Sequence, residues 1–222
     1  MRYRRAAFVV AGTAVIAGCG DGGLPDADLM LRDAAISTGA VHSAHLVLRA
    51  DGAVPGLALR RLEADLSTAQ GGTATGTAIP VIGPTTRFVT SEGKVVGIAP
   101  DGTRTSLPSN VGVGDPTGLI GRNGAMARLI GSLREAETVA RADFTGIDAF
   151  EVRAVVPAET LRALLPAAGT DATLTVWLRV RGAHLPLHTT ITFPNSPGAQ
   201  LDVTVSDVST TSPIKSRQGG RA

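Results

Sequence analysis

The chain has 222 residues, 21 Lys and Arg against 19 Asp and Glu, and a hydrophobic fraction of 43%. That length suits one domain, at most two, and is ample for a substantial core, while the composition excludes a disordered or fibrous chain. A single Cys excludes a disulfide framework and a cysteine-rich zinc module. Charge is unevenly placed: Arg2, Arg4 and Arg5 precede the first acidic residue, Asp21, and without residues 1–18 the balance is 18 basic against 19 acidic. The remaining body has no basic cluster beyond Arg60-Arg61. Nucleic acid is therefore not expected as a partner, since it calls for a basic face.

Residues 1–5 form a positive start, and residues 6–16 an 11-residue apolar run that ends at Ala17-Gly18-Cys19. Such a run is too short for a transmembrane helix, which needs about 20 residues, and reads as an export signal over residues 1–18. Ile16-Ala17-Gly18-Cys19 resembles the bacterial lipobox: an aliphatic residue, two small residues that admit the signal peptidase, then the cysteine. The resemblance implies that Cys19 becomes the new N-terminus, carrying an S-diacylglycerol thioether and an N-linked palmitoyl chain. It would hold the protein on the extracytoplasmic side of the cell membrane. The alternative is an ordinary signal peptide with a cysteine at its cleavage point. Arg4-Arg5 leaves Sec and twin-arginine export both open.

Gly20–Gly23 completes a tether over residues 19–23, and residues 24–208 read as one domain. Leu24–Thr38 is expected as a helix, with Pro25 in its first turn, Gly39 as its stop and Leu31, Ala34, Ala35 and Thr38 on one face. Ser43–Ala50 and Ala58–Thr68 alternate as strands, setting Ala44, Leu46 and Leu48, then Leu62, Ala64 and Leu66, on one side. Gly72–Ile82, Arg87–Thr90 and Lys94–Ala99 follow as strands, and Asp101-Gly102 as a tight turn. Asp115-Pro116 opens a helix over 116–133, broken in its glycine-rich first half, with Met126, Leu129, Ile130 and Leu133 as its apolar stripe. Glu135–Arg141 and Ala149–Val156 are expected as paired strands, and a short helix runs from Pro157 to Leu165-Pro166. Thr173–Arg181, Leu185–Phe193 and Gln200–Asp207 close the domain as three strands, and residues 209–222 read as a disordered tail. The inventory is about eight or nine antiparallel strands and three helices. One polar and one apolar face per strand describe a sheet covered on one side. The expected class is α+β, a curved antiparallel half-barrel sheet with helices packed on its concave face.

No catalytic constellation is visible. In a strand, His184 and His188 stand about 13 Å apart at ~3.3 Å per residue, too far for one metal ion, and His42 and His45 point to opposite faces. Surface or strand-end histidines are the simpler reading of all four, and neither a metal nor a cofactor is expected. Gly112-Val-Gly-Asp-Pro-Thr-Gly118 lacks both the spacing and the βαβ context of a dinucleotide loop, and no G-x-S-x-G elbow occurs.

The exported region resembles the LppX/LprA/LprF/LprG group of mycobacterial glycolipid-carrier lipoproteins. The resemblance runs through Ser43-Ala-His-Leu-Val-Leu48, Glu63-Ala-Asp-Leu66, Asp115-Pro-Thr-Gly-Leu119, Gly146-Ile-Asp148, Thr175-Val-Trp177 and the exit Ser206-Asp207…Pro213. It implies a half-barrel whose apolar cavity, between sheet and helices, holds the acyl chains of a lipid or lipoglycan and carries them across the periplasm. A membrane-side transporter is a possible partner. Periodicity nominates the trough: Leu46, Leu48, Val152, Ala154, Leu174, Val176, Leu178 and Ile191 as its floor, Met126, Leu129, Ile130 and Leu133 as its roof, with Leu161, Leu164 and Leu165. The competing reading is an envelope adaptor lipoprotein with a filled core that docks a transporter or enzyme.

Overall fold

The computed structural model describes residues 23–91, 93–99, 101–106 and 115–211. Cys19, the expected export signal over residues 1–18 and most of the expected tail lie outside the described residues. Eleven strands, β1 (Ser43–Asp51), β2 (Leu59–Ser67), β3 (Thr73–Pro80), β4 (Thr86–Ser91), β5 (Lys94–Ile98), β6 (Arg104–Ser106), β7 (Arg134–Phe144), β8 (Ile147–Val156), β9 (Ala172–Arg179), β10 (Pro186–Thr192) and β11 (Gln200–Ser209), form a single sheet. Its order is β6-β5-β4-β3-β2-β1-β11-β10-β9-β8-β7. Two meanders, β1–β6 and β7–β11, are thus joined where the first strand pairs antiparallel with the last. The sheet is open, with β6 and β7 as its edges. The strand count exceeds the eight or nine expected, in part because β6 is three exposed residues without apolar alternation.

Alternation sorts the faces as expected for a sheet covered on one side. Ala44, Leu46 and Leu48 of β1 and Leu62, Ala64 and Leu66 of β2 are buried, and they join the inward residues of β8 to β11 in one apolar core with the helices. That is the expected α+β half-barrel.

The first helix, α1, spans Ala27–Gly39, three residues later than Leu24, because Asp26 caps it by accepting from the Leu29 amide at 2.9 Å. It is tied down ahead of its N-terminus and at its middle: Thr138 of β7 donates its hydroxyl to the Pro25 carbonyl at 2.7 Å, and the His184 amide in the β9–β10 turn donates to Asp33 at 3.3 Å. The central helix is broken as its glycines imply. Asp115 caps a 3-10 turn, Pro116–Leu119, and α2 follows at Ala125–Gly131. Gly124 is required at that break: a Cβ there would lie 2.6–2.8 Å from the backbone of Leu119 and Ile120. α3, Ala158–Arg162, is a short helix after Pro157. α2 packs chiefly on α1 and only lightly on α3.

Candidate functional site: an apolar cavity under the helices

Between the helices and the middle of the sheet lies a cavity of about 70 Å³. Its floor comes from three adjacent strands: Leu46 and Leu48 of β1, Leu201 and Val203 of β11, Thr189 and Ile191 of β10. Its roof is Met126, Leu129 and Ile130 of α2, with Leu161, Leu164 and Leu165 in and after α3. Leu57, from the β1–β2 loop, and Leu119, from the 3-10 turn, close the ends. Every lining side chain but Thr189 is aliphatic or a thioether, and no ring projects into the space. Apolar cavities of this kind stay dry, because a buried water needs two to four polar partners.

Nine of the nominated residues meet at this cavity: Leu46, Leu48, Met126, Leu129, Ile130, Leu161, Leu164, Leu165 and Ile191. Six do not line it. Val152, Ala154, Leu174, Val176 and Leu178, on β8 and β9, are at most 2% exposed and border no part of the cavity; all but Ala154 belong to the one apolar core that also takes in Met30, Leu31 and Ala34 of α1. α1 is joined to that end of the sheet through β7 and the β9–β10 turn. Leu133 lies beyond α2, which ends at its Ser132 cap, so the i+7 position leaves the stripe. Conversely, Leu57, Leu119, Thr189, Leu201 and Val203 line the cavity but fall outside the stripes nominated above. Two-residue alternation in β11 and β10 would have found Leu201, Val203 and Thr189; the two loop residues carry no periodic signal.

The ionisable chemistry sits on the opposite, solvent-facing side of the sheet. His188 is not an isolated strand-end histidine. Its ring stacks on Phe144, with centroids 5.1 Å apart, and lies 5.2 Å from Trp177. Thr190 donates its hydroxyl to Asp202 at 2.6 Å. It is therefore left to accept from His188 Nε2 at 3.2 Å, while Nδ1 accepts from the Thr204 hydroxyl at 3.0 Å. Burial pushes the His188 pKa below its ordinary value, against the opposing pull of Asp202. The hydroxyl–imidazole–carboxylate order superficially suits nucleophilic catalysis, but these residues lie on paired strands whose amides serve the ladder, and such a site needs free donors for an oxyanion. The cluster acts as a strut across β9, β10 and β11. His45 pairs with Asp65 at 2.7 Å on the same face, His184 bonds the Arg179 carbonyl at 2.9 Å, and no cluster of metal-ligating groups occurs among the described residues.

Comparison with known proteins agrees with this architecture. The crystal structure of LprF from Mycobacterium bovis superposes with a TM-score of 0.71 over 86% of this chain and 98% of that one, at 20% identity. That of the Mycobacterium tuberculosis lipoprotein LppX gives 0.64, covering 84% and 97%, at 15% identity. In sequence, the lipoarabinomannan carrier protein LprG of Mycobacteroides abscessus is 30% identical over 217 residues, 93% of each chain. LprG of Mycobacterium tuberculosis H37Rv is 27% identical over 190 residues, 81% of this chain and 80% of that one. The family model described as LppX_LprAFG lipoprotein matches residues 26–213, nearly the whole of the described domain, and this chain belongs to that family.

Proposed function

We propose that the protein is a membrane-anchored carrier that shelters the acyl chains of a lipid or lipoglycan in the cavity beneath α2 and α3 and moves them between envelope layers. The observation that carries this reading is the cavity itself, almost wholly aliphatic, set between the sheet and a roof that is only lightly joined from α2 to α3. Exposing a sixteen-carbon chain to water costs about 12 kcal/mol at ~0.8 kcal/mol per methylene. A carrier must therefore cover nearly the whole chain, and an aliphatic lining does so without polar demands on the ligand. The names of the LprG relatives support the reading, as does the aliphatic–small–small–cysteine sequence ending at Cys19. At about 70 Å³ the cavity is well below the ~300–1,000 Å³ of ordinary ligand pockets. Loading then requires the roof to lift, with α2 moving about the break at Gly121–Gly124.

That small volume also favours the second reading, an adaptor with a filled core that docks a transporter or enzyme. Native mass spectrometry of the full-length chain, incubated with vesicles of phospholipid and of envelope glycolipid, separates the two. Retained lipid, lost in Leu129→Trp, is the expected result; a chain that stays empty with every vesicle rejects the carrier. Anchoring is tested separately: Cys19→Ala should appear in the soluble fraction after cell disruption, and a variant that still sediments with membranes after a high-salt wash rejects the lipid anchor.

A further inference from the structure

Thr189 is the one hydroxyl in the cavity lining. It is an inward residue of β10, opposite Val176 on β9 and Val203 on β11, and is only 7% exposed. Among the described residues its side chain makes no hydrogen bond, and its Oγ1 is not one of the fully enclosed unpaired oxygens, which are those of Thr38 and Thr90; it opens onto the cavity instead. Its neighbours on the outer face of the same strand, His188 and Thr190, are by contrast fully engaged.

Packing does not account for this hydroxyl. Valine has the same branched shape and the same preference for strands, and would leave no unpaired polar group in an apolar space. A buried hydroxyl without a partner lowers stability. Water does not resolve the deficit, since one hydroxyl offers a water a single partner where buried waters need two to four. The partner must arrive with the ligand, and it must be an acceptor embedded in otherwise apolar material. An ester carbonyl, at the point where an acyl chain leaves its glycerol, fits that description. A free carboxylate does not, because its charge would be desolvated against one neutral hydroxyl.

We infer that Thr189 donates a hydrogen bond to the ester carbonyl of a bound acyl chain, so that the cavity selects ester-linked glycerolipids over ether-linked ones of the same length. The inference rests on the carrier reading above. Discrimination by a single neutral hydrogen bond is modest, about tenfold in affinity.

The test is a competition read by native mass spectrometry. The full-length chain is offered equal amounts of dipalmitoyl phosphatidylglycerol and its di-O-hexadecyl ether analogue, with free palmitate in a separate arm. Wild type should take the diester over the diether by about tenfold. Thr189→Val should bring that ratio to about one, Thr189→Ser should preserve it, and the empty Val variant should unfold at or above the wild-type temperature, which separates lost recognition from lost folding. A wild-type ratio near one, a Thr189→Val variant that keeps its preference, or palmitate displacing the diester overturns the assignment of Thr189 while leaving the carrier intact. Uptake of neither glycerolipid overturns both.

Discussion

Leu48 of β1 stands opposite Val203 of β11, and both line the cavity. The floor of the cavity is therefore the seam at which the beginning and the end of the domain close on each other, so floor and fold form together. Leu46, also on the seam, is 1% exposed. Leu46→Ala should cost about 2–5 kcal/mol in urea-induced unfolding. Met126→Ala, a partly buried roof residue, should cost less, about 1 kcal/mol. Equal losses at the two positions would show that roof and floor are one rigid unit.

A second seam is sensitive for a different reason. Gly76 of β3 pairs with Ala64 of β2, and a Cβ at position 76 would stand 2.0 Å from the Glu63 carbonyl oxygen and 2.8 Å from the Ala64 Cα. Both are backbone atoms in a paired strand and neither swings aside. Gly76→Ala should cost about 3 kcal/mol, the upper end of ordinary overpacking. Gly146, at φ +85° in the β7–β8 turn with no heavy atom within 4 Å of its virtual Cβ, carries only the left-handed strain, and its Ala variant should lose about 1 kcal/mol. Thermal unfolding of the two variants checks the ranking, and the reverse order would contradict the close approach of β3 to β2.

The His188 strut makes stability depend on pH. Its folded pKa is lower than the unfolded value near 6.5, so below that value the unfolded chain binds the proton more readily than the folded one. Stability contributed by the neutral imidazole is present above about pH 6.5 and is lost as the pH falls toward the folded pKa. Removing the charge that opposes the shift, in Asp202→Asn, should depress the His188 pKa further and extend the loss to lower pH. His188→Asn should flatten this part of the profile. NMR titration of the His188 ring in wild type and Asp202→Asn gives the direct measurement; a pKa that rises in the Asn variant would reverse the assignment.

The sheet was legible because alternation survives wherever one face meets water. The run Leu174, Val176 and Leu178, opposed by Thr175, Trp177 and Arg179, is such a case, and so is β1. The site was only half legible. Periodicity identifies inward residues but does not say what lies above them: inward residues of β1, β10 and β11 border the cavity, and those of β8 and β9 do not. Where the helices lie over the sheet depends on contacts distant in sequence, such as Thr138 to Pro25 and His184 to Asp33, which leave no local pattern. Thr189 is hidden for the opposite reason: alternation puts it inward beside Ile191, but its hydroxyl disguises it as a polar residue.

The same distinction between core and cavity predicts opposite outcomes for two bulky substitutions that look equivalent in sequence. Val176 is fully buried and, although it pairs with Thr189, does not line the cavity, so Val176→Trp has no empty space of its own to enter and must displace β9 or its neighbours. It should cost at least the ~1–3 kcal/mol of ordinary overpacking and leave the chain prone to aggregate. Leu129 is nearly as buried but borders the void and sits on a roof helix that is only lightly attached to α3. Leu129→Trp can push its ring into the existing space and should keep a thermal midpoint near wild type while abolishing lipid retention. Measuring midpoint and retained lipid on both variants settles the matter. A stable Val176→Trp that empties the protein would move the acyl site to β8 and β9, under α1, and a Leu129→Trp that unfolds would show the cavity too rigid to admit even one ring.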